Sequence, residues 1–345
     1  MSTSRPNLGQ VARQAGVSPA TASRVLNNTT PVSAGIRSRV LSAAADLGYL
    51  PPAGRSGPAI TSGLIAFVIS DILNPFFPEM VRAVEEDAAA AGLGLLLCNT
   101  GEDKEHEQRT LRLLAERPVA GIIVCASRLN SADLVALHER RQTPMVVINR
   151  RLDHPTIPNI IVDFESATYR ATRHLLDLNH SAIAYLAGAG NSDASRARRR
   201  GIELALGQAG LSLRPEWCPT TFPNVEGGFQ AMSALLAQGS GTRPTAVLAY
   251  NDVLALGALH AIRIYHLRVP DDISVVGFDD IAMAVHANPP LTTIAQPKQR
   301  MGQLAIQLLL QMLRDEPVPG EGYTLVDSPL IVRQSTAPAN PTRPD

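Results

Sequence analysis

From Leu64 onward, short apolar runs of strand length alternate with segments of helical pattern, and this alternation leaves few folds open to the chain. Continuous apolar strands separated by helices are typical of parallel sheets that helices cover on both faces. The predicted strands are residues 64–70, 93–98, 119–125, 144–149, 159–163, 182–188, 245–250 and 273–278. So many strands at this spacing predict two doubly wound parallel-sheet subdomains. Every run is shorter than a transmembrane helix, so we expect no membrane span.

The first 50 residues carry the periodicity of helices only. Asn7 can cap a first helix, and the sequence Gly16-Val17-Ser18 breaks the pattern before a second one. A third predicted helix runs from Ser33 to Leu47. The side chains expected on the inner faces are Leu8, Val11, Ala12, Ala15, Ala22, Val25, Leu26, Val40, Leu41, Ala44 and Leu47. Three short helices with a tight turn between the first two predict an all-α helix-turn-helix head.

Charge is segregated along the chain. Residues 1–60 hold six arginines against a single acid, Asp46, although the formal net charge of the whole chain is zero. A small basic head on an acidic body is what binding to nucleic-acid phosphates requires. Residues 51–63 are rich in Pro, Gly and Ser and therefore predict a linker.

Two sequence features limit the chemistry and the compartment. The three cysteines lack a CxxC spacing, and the histidines show no metal-ligand spacing, so we expect neither a disulfide framework nor a metal site. The N-terminal segment lacks the apolar stretch of a secretory signal, which predicts a cytoplasmic protein. Motifs of hydrolases, P-loop proteins and zinc proteases are missing, so we expect neither an enzyme nor a cofactor.

Four segments together resemble the lactose-repressor (LacI/GalR) family of bacterial transcriptional regulators. They are AGVSPATASRVLN (15–27), VS (32–33), IRSRVLSAAADLGYLP (36–51) and ISVVGFDD (273–280), and the similarity extends from about Leu8 to Ser335. The resemblance implies a DNA-binding head at 1–50, a hinge at 51–63 and a two-lobed periplasmic-binding-protein-like core at 64–336. Lobe one then comprises about 64–162 and 293–322, and lobe two about 163–290 and 323–336. We expect residues 337–345 to be a disordered tail.

By match of position, the second helix reads DNA. Small and hydroxylated side chains let a helix lie deep in the major groove, and an arginine can donate two hydrogen bonds to a guanine edge. The resemblance implies Pro19, Ala20 and Arg24 as base-reading residues. It implies contacts with the DNA backbone at Leu8, Ser18, Thr21, Ser23, Asn27, Ser33 and Tyr49, and Arg55 in the hinge is counted with the DNA-binding residues. The hinge departs from the family, since Gly54–Pro58 lacks the usual helix-forming residues and the leucine that enters the minor groove.

Polar side chains at the ends of the predicted strands form a candidate effector site, because ligands of open α/β sheets bind beyond the carboxyl ends of the strands. The candidates at strand ends are Ser70, Asp71, Asn74, Asn149, Asn251 and Asp279, with Phe77 beside the first of these ends. Arg198, near a helix start, and Phe222 join them because the resemblance to the family implies effector contacts at their positions. Some have structural alternatives: Asp252 and Asp280 can cap helices instead of touching a ligand, and Phe76 and Phe77 can belong to a lobe core. Asn149 precedes Arg150, a pattern closer to galactose-type regulators than to purine-type ones, which tend to have Asp-Trp there.

These features predict a sequence-specific transcriptional regulator, a repressor that binds a palindromic operator in double-stranded DNA. The family implies a homodimer or a tetramer with a small effector between the lobes, and the polar candidates favour a sugar or a sugar phosphate. Two other classes of protein fit the sequence less well. The basic head and the missing export signal argue against an uptake protein, and the missing catalytic motifs argue against a sugar-metabolising enzyme.

Overall fold

The computed structural model describes residues 7–26, 32–47, 63–188, 192–238, 243–318 and 323–340. The predicted hinge, apart from Gly63, lies outside these residues, as do the DNA-contact candidates Asn27, Tyr49 and Arg55. Within the described residues, no helix is long and apolar enough to cross a membrane.

The head is a three-helix unit of α1 (Leu8–Ala15), α2 (Pro19–Leu26) and α3 (Ala34–Leu47). Asn7 and Gln10 form a capping box at the start of α1, where the Asn7 side chain accepts from the Gln10 N–H at 3.0 Å and the Gln10 side chain accepts from the Asn7 N–H at 2.7 Å. Gly16 ends α1 in the left-handed region (φ 64°), as a C-cap glycine does. Leu41 is 49% exposed, so its predicted place on the inner face was wrong, and Ala43 is buried instead.

Lobe one begins with five strands and three helices. The strands are β1 (Leu64–Ile69), β2 (Gly94–Asn99), β3 (Ile122–Cys125), β4 (Met145–Ile148) and β5 (Asn159–Val162). The helices are α4 (Phe76–Ala90), α5 (Lys104–Ala115) and α6 (Ser131–Arg141). These strands match the predicted runs to within about three residues at each end, because each is an apolar run long enough to be buried on both faces.

Lobe two follows along the chain. Its helices are α7 (Phe164–Asp177), α8 (Asp193–Gln208), α9 (Val225–Ala237), α10 (Asp252–Ile264) and α11 (Ala282–His286), with a short 3-10 helix at Pro215–Trp217. Its strands are β6 (Ile183–Leu186), β7 (Ala246–Ala249), β8 (Ser274–Asp279) and β9 (Thr292–Ala295). The chain then forms α12 (Lys298–Leu313), β10 (Tyr323–Val326) and β11 (Leu330–Ile331).

Each lobe is built on one sheet, and the chain crosses between the sheets three times. The first sheet has the order β10-β5-β4-β3-β1-β2 and is parallel throughout, while the second has the order β11-β9-β8-β7-β6 with β11 antiparallel. The helix α12 packs on α4 of the first lobe. The crossings lie between β5 and α7, between β9 and α12, and between β10 and β11.

This pairing corrects the predicted lobe boundaries. Residues 293–295 were expected in lobe one, but β9 pairs with β8 of the second sheet, with Val276 beside Thr292. Residues 323–326 were expected in lobe two, but β10 pairs with β5 of the first sheet, with Tyr323 beside Asn159. Both strands are four residues long, and a run that short does not reveal which strand it pairs with.

The end of the described chain is ordered where we expected disorder. The Ala339 N–H donates to the Leu178 carbonyl at 2.8 Å. The buried ring of His180 is bonded to the Ala337 carbonyl at 2.9 Å through Nε2 and to Thr245 Oγ1 at 3.0 Å through Nδ1. Residues 337–340 therefore lie along lobe two because its backbone and side chains supply hydrogen-bond partners, and the prediction of disorder from residue 337 was wrong for these four.

Candidate DNA-reading helix and inter-lobe cleft

The helix α2 presents small and hydroxylated side chains to solvent. Ser18 stands just before it, and its Oγ accepts from the Thr21 N–H at 3.1 Å and lies 2.9 Å from Thr21 Oγ1. Ala22 and Val25 are buried in the head core, which turns the opposite side of the helix outward. The base-reading candidates Pro19, Ala20 and Arg24 are all exposed on that side.

The candidates for contact with the DNA backbone differ in how far they are exposed. Ser18 and Ser33 are exposed, whereas Thr21 and Ser23 are half-buried. Leu8 packs partly against the head core, so only part of its surface is open to DNA. Arg13, Arg37 and Arg39 add exposed positive charge on the other two helices. With cations on the neighbouring helices to neutralise DNA phosphates, the exposed helix α2 can lie in a groove of DNA and contact the bases.

A cleft between the lobes gathers most of the predicted effector residues. Seven of the nine line it: Ser70, Asn74, Phe77, Asn149, Arg198, Asn251 and Asp279. Most of them lie at or just after a strand end, at the edge where the two sheets face one another, whereas Phe77 lies on α4 and Arg198 on α8. The enclosed space is small, with about 50 Å³ open to the centre of a water-sized sphere, so it suits a small polar molecule.

Two candidates do not line the cleft. The carboxylate of Asp71 accepts from the Leu73 N–H at 3.0 Å and so holds the turn after β1. The ring of Phe222 is 48% exposed, and the neighbouring Pro223 lines the cleft in its place. Asp71 follows the end of β1 and Phe222 lies in the loop before α9, and these loops point the two side chains away from the cleft.

Arg198 is the cation at the centre of the cleft. It is 4% exposed, and its guanidinium carbon lies 4.4, 4.3 and 4.1 Å from the ring centroids of Phe164, Tyr250 and Phe278. Each distance is within the range of a cation–π contact. Its Nη2 is 3.9 Å from Asp279 Oδ1. The rings fix the guanidinium in place and remove it from water, which strengthens its attraction for a polar ligand.

Asp279 faces Arg198 from the end of β8, and its oxygens are held by a relay across the lobes. The Gln296 side-chain amide donates to Asp279 Oδ1 at 2.6 Å, and Asn149 Nδ2 donates to Gln296 Oε1 at 3.2 Å. Burial raises the pKa of Asp279 to about 6, although the charge on Arg198 opposes the rise. Asp279 is therefore mainly ionised at neutral pH and takes up a proton as the pH falls through about 6.

The structure resolves the alternatives for the neighbouring carboxylates. Asn251, not Asp252, caps α10, since its Oδ1 accepts from the Leu254 N–H at 3.0 Å. Asp252 is buried away from the cleft, accepts from the Ile281 N–H at 2.9 Å and from the Thr293 hydroxyl at 2.5 Å, and has a pKa raised by burial and by Asp279. Asp280 caps no helix and pairs with Arg333 at 2.7 Å.

Further polar residues, which the sequence analysis did not single out, also line the cleft. The notable ones are Glu102, Ser127, Arg128, Arg150, Ser192, Tyr250 and Gln296. Arg128 pairs with Glu102, and Arg150 Nη1 reaches across the lobes to Asp193 Oδ2 at 3.0 Å. Burial would raise the pKa of Tyr250, but Arg198 and Arg128 outweigh it and lower that pKa. Ser127 and Arg128 directly follow β3, so the strand-end rule would have found them, whereas Gln296 follows the unpredicted strand β9.

Three buried polar atoms at the cleft have no hydrogen-bond partner: Asn149 Oδ1, Arg150 Nε and Arg198 Nε. Buried polar groups are nearly always bonded, so atoms left over in a cavity indicate what the cavity receives. Here one acceptor and two donors remain for a ligand. Ala126, Asn149 and Asp279, at three strand ends beside the cleft, also have positive φ (56°, 61° and 117°), a backbone strain that clusters at binding sites. Among the described residues, no group of three potential metal ligands occurs.

Comparisons with known proteins bear on both parts of the chain. The family described as bacterial regulatory proteins, lacI family, matches residues 7–52. A periplasmic binding protein-like domain matches residues 172–336. A curated relative, the HTH-type transcriptional repressor PurR of Aliivibrio fischeri (strain MJ11), is 38% identical over 313 residues, which is 89% of this chain and 91% of the relative. The protein of that name from Haemophilus influenzae (strain PittEE) is 36% identical over 94% of this chain and 97% of its own.

Solved structures agree. The Lac repressor dimer bound to operator and the anti-inducer ONPF has a TM-score of 0.76 with this chain at 31% identity, covering 97% of this chain and all of its own. A complex of the transcriptional regulator CelR with cellobiose has a TM-score of 0.70 at 29% identity, covering 96% of this chain and all of its own.

Proposed function

The chain belongs to the lacI family of bacterial regulatory proteins, and we propose that it binds a palindromic operator as a homodimer and releases it when a sugar or sugar derivative enters the inter-lobe cleft. As a family member it is a DNA-binding transcriptional repressor with a ligand-binding domain, and not an enzyme. Our proposal adds the class of the ligand, the direction of the ligand's effect on operator binding, and the homodimeric assembly.

The polarity of the cleft supports the ligand class most strongly. Sugar hydroxyls both donate and accept, which suits the free Asn149 oxygen and the free Arg198 Nε together. The guanidinium of Arg198 and the carboxyl of Asp279 can each bind neighbouring hydroxyls in pairs. The rings of Phe76, Phe77 and Phe164 supply an apolar wall. The solved complex of CelR with cellobiose is a relative that binds such a compound.

Exposed apolar side chains support the dimer. Leu73 is 86% exposed and Ile72 49% exposed after β1, and Phe222 and Val225 of lobe two are 48% and 47% exposed. Neighbouring large apolar side chains that are exposed, as in each of these two pairs, are typical of protein interfaces. Two heads on a two-fold dimer would read half-sites about one helical turn, roughly 34 Å, apart. The related Lac repressor is a dimer on its operator.

The ligand acts by preferring one arrangement of the lobes. Arg198 and Asp279 belong to lobe two and Asn149 to lobe one, so a bound ligand bridges both. To release the operator it must bind the DNA-incompetent arrangement more tightly, because equal affinity for both would shift nothing.

The test begins with selection of bound duplexes from random DNA, followed by fluorescence anisotropy on the best sequence with a panel of sugars. We expect a palindromic operator and at least one sugar that weakens binding. Arg198→Ala should abolish the response to that sugar and leave operator affinity within about twofold. Arg140→Gln is the control, since Arg140 is exposed on α6 away from the cleft. Selection without a palindrome, or an intact response in Arg198→Ala, would contradict the proposal.

A further inference from the structure

A second cavity lies beside the inter-lobe cleft and shares part of its wall. Asn149, Arg150, Phe164, Asp193 and Ala194 line both, so the two spaces adjoin. This outer cavity is the larger, with about 370 Å³ open to the centre of a water-sized sphere. The residues that line it alone include Arg151, Glu165, Arg200 and Tyr323. A ligand in the cleft therefore has room to extend in this direction.

The carboxylates around the outer cavity are already engaged. Asp163 caps α7, accepting from the Ser166 N–H at 3.0 Å and from its hydroxyl at 2.7 Å. Glu165 pairs with Arg200 at 2.8 Å. Asp193 is shared between Arg150, at 3.0 Å, and Arg196. Glu165 and Asp193 are therefore paired with arginines, and Asp163 is bonded to the first turn of α7.

The guanidinium of Arg151, by contrast, has no anionic partner among the described residues. It stacks on the ring of Tyr323, with its central carbon 4.6 Å from the ring centroid, which holds an exposed side chain in one orientation. Deeper in the shared wall, Arg150 Nε is buried and unbonded, and the Arg150 side chain is 7% exposed. Asn149 Oδ1 is unbonded beside it. The cavity thus has two arginines with donors to offer, one of them pre-oriented and one buried.

We propose that the outer cavity binds an anionic substituent, a phosphate or a carboxylate, of the same ligand whose polyol part lies in the inter-lobe cleft. This inference rests on the proposed function and narrows its ligand class to sugar phosphates or sugar acids. Arg151 meets the anion from the solvent side, and Arg150 meets it where the two cavities join. Guanidinium groups suit both anions, because their parallel N–H bonds match two oxygens at once. A phosphate or carboxylate there completes the bonding of Arg150 and supplies the charge that faces Arg151.

The experiment compares neutral sugars with their anionic derivatives by calorimetry on the full chain. The probes are glucose, galactose and ribose, each with its terminal phosphate ester, and glucuronate and galacturonate as the carboxylates. We expect at least one anionic member to bind about tenfold more tightly than its neutral parent at moderate salt. Arg151→Gln should reduce that ratio to about twofold, because the variant keeps the length of the side chain and removes its charge. Arg140→Gln, an exposed arginine of the same lobe, should leave the ratio unchanged.

The inference is overturned if no anionic member binds the wild-type chain more tightly than its parent, or if Arg151→Gln leaves the affinity ratio between the members of a pair unchanged. A third variant separates it from the proposed function. If Arg198→Ala loses binding of the parent sugar while Arg151→Gln keeps the preference for the anionic member, the inference is overturned and the proposed function stands. Parent-sugar binding that survives Arg198→Ala would instead count against the proposed cleft.

Discussion

Replacing Asp279 with Asn should make the protein more stable, and more so at pH 8 than at pH 5. Burial raises the pKa of this carboxyl from an ordinary value of 3.8 to about 6. The folded chain therefore binds a proton more tightly than the unfolded chain, so the carboxyl costs stability as pH rises through this window. Below pH 3.8 the cost disappears. Asn has nearly the same shape and stays neutral, so it removes the cost.

The size of the effect follows from the two pKa values. A carboxyl moved from 3.8 to about 6 costs at most about 3 kcal/mol once pH exceeds both values, and about half of that at pH 5. The advantage of Asp279→Asn over the wild type should then grow by about 1–2 kcal/mol between pH 5 and pH 8. The charge on Asp279 also raises the pKa of Asp252, so its removal acts in the same direction there.

Thermal unfolding at the two pH values measures this difference. A change of about 1–2 kcal/mol corresponds to roughly 2–8 °C in Tm for a domain of about 200 residues. Gly207→Ala is the control, because it changes no titratable group and a Cβ there meets nothing within 4 Å, so its offset from the wild type should be equal at both pH values. An offset for Asp279→Asn that is the same at pH 5 and pH 8, or larger at pH 5, would refute the reasoning.

Three further predictions concern other parts of the chain. Arg24→Ala should weaken binding to the selected operator by about 1–3 kcal/mol and relax the preference at one base pair, as anisotropy on point-mutated duplexes would show, whereas an equal loss on every duplex would indicate a phosphate contact. Gly228→Ala should lower the stability by about 1–3 kcal/mol in thermal unfolding, because a Cβ there would lie 2.1 Å from the Leu254 carbonyl and push α9 from α10. Gly207→Ala, where a Cβ meets nothing within 4 Å, is its control and should not destabilise. Leu73→Asp should shift the chain toward the monomer in sedimentation and weaken operator binding with it, and an unchanged dimer would remove this residue from the interface.

Local sequence patterns determined much of the secondary structure of this protein and the place of its candidate site. Apolar runs flanked by helical segments predicted eight strands to within a few residues, because a strand buried on both faces must be apolar along its whole length. Asn7, Gly16 and Ser18 marked the turns of the head, since capping depends on a few neighbouring residues. Seven of the nine effector candidates line one cleft; most of them follow strand ends, because parallel strands bring their carboxyl ends to one edge, and Arg198 came from the resemblance to the family.

Contacts between distant segments required the tertiary structure. The sheet to which β9 and β10 belong depends on pairing with β8 and β5, and a four-residue run carries no record of its partner. Gln296 joins Asn149 to Asp279 across the lobes, although 147 residues separate Asn149 from Gln296 in sequence. Which polar atoms are left unbonded, and that Arg151 stacks on Tyr323 beside a second cavity, follow from the packing of whole lobes. Sequence fixes the chemical groups at strand ends, but burial and partners are properties of the assembled fold, and they decide which of those groups can receive a ligand.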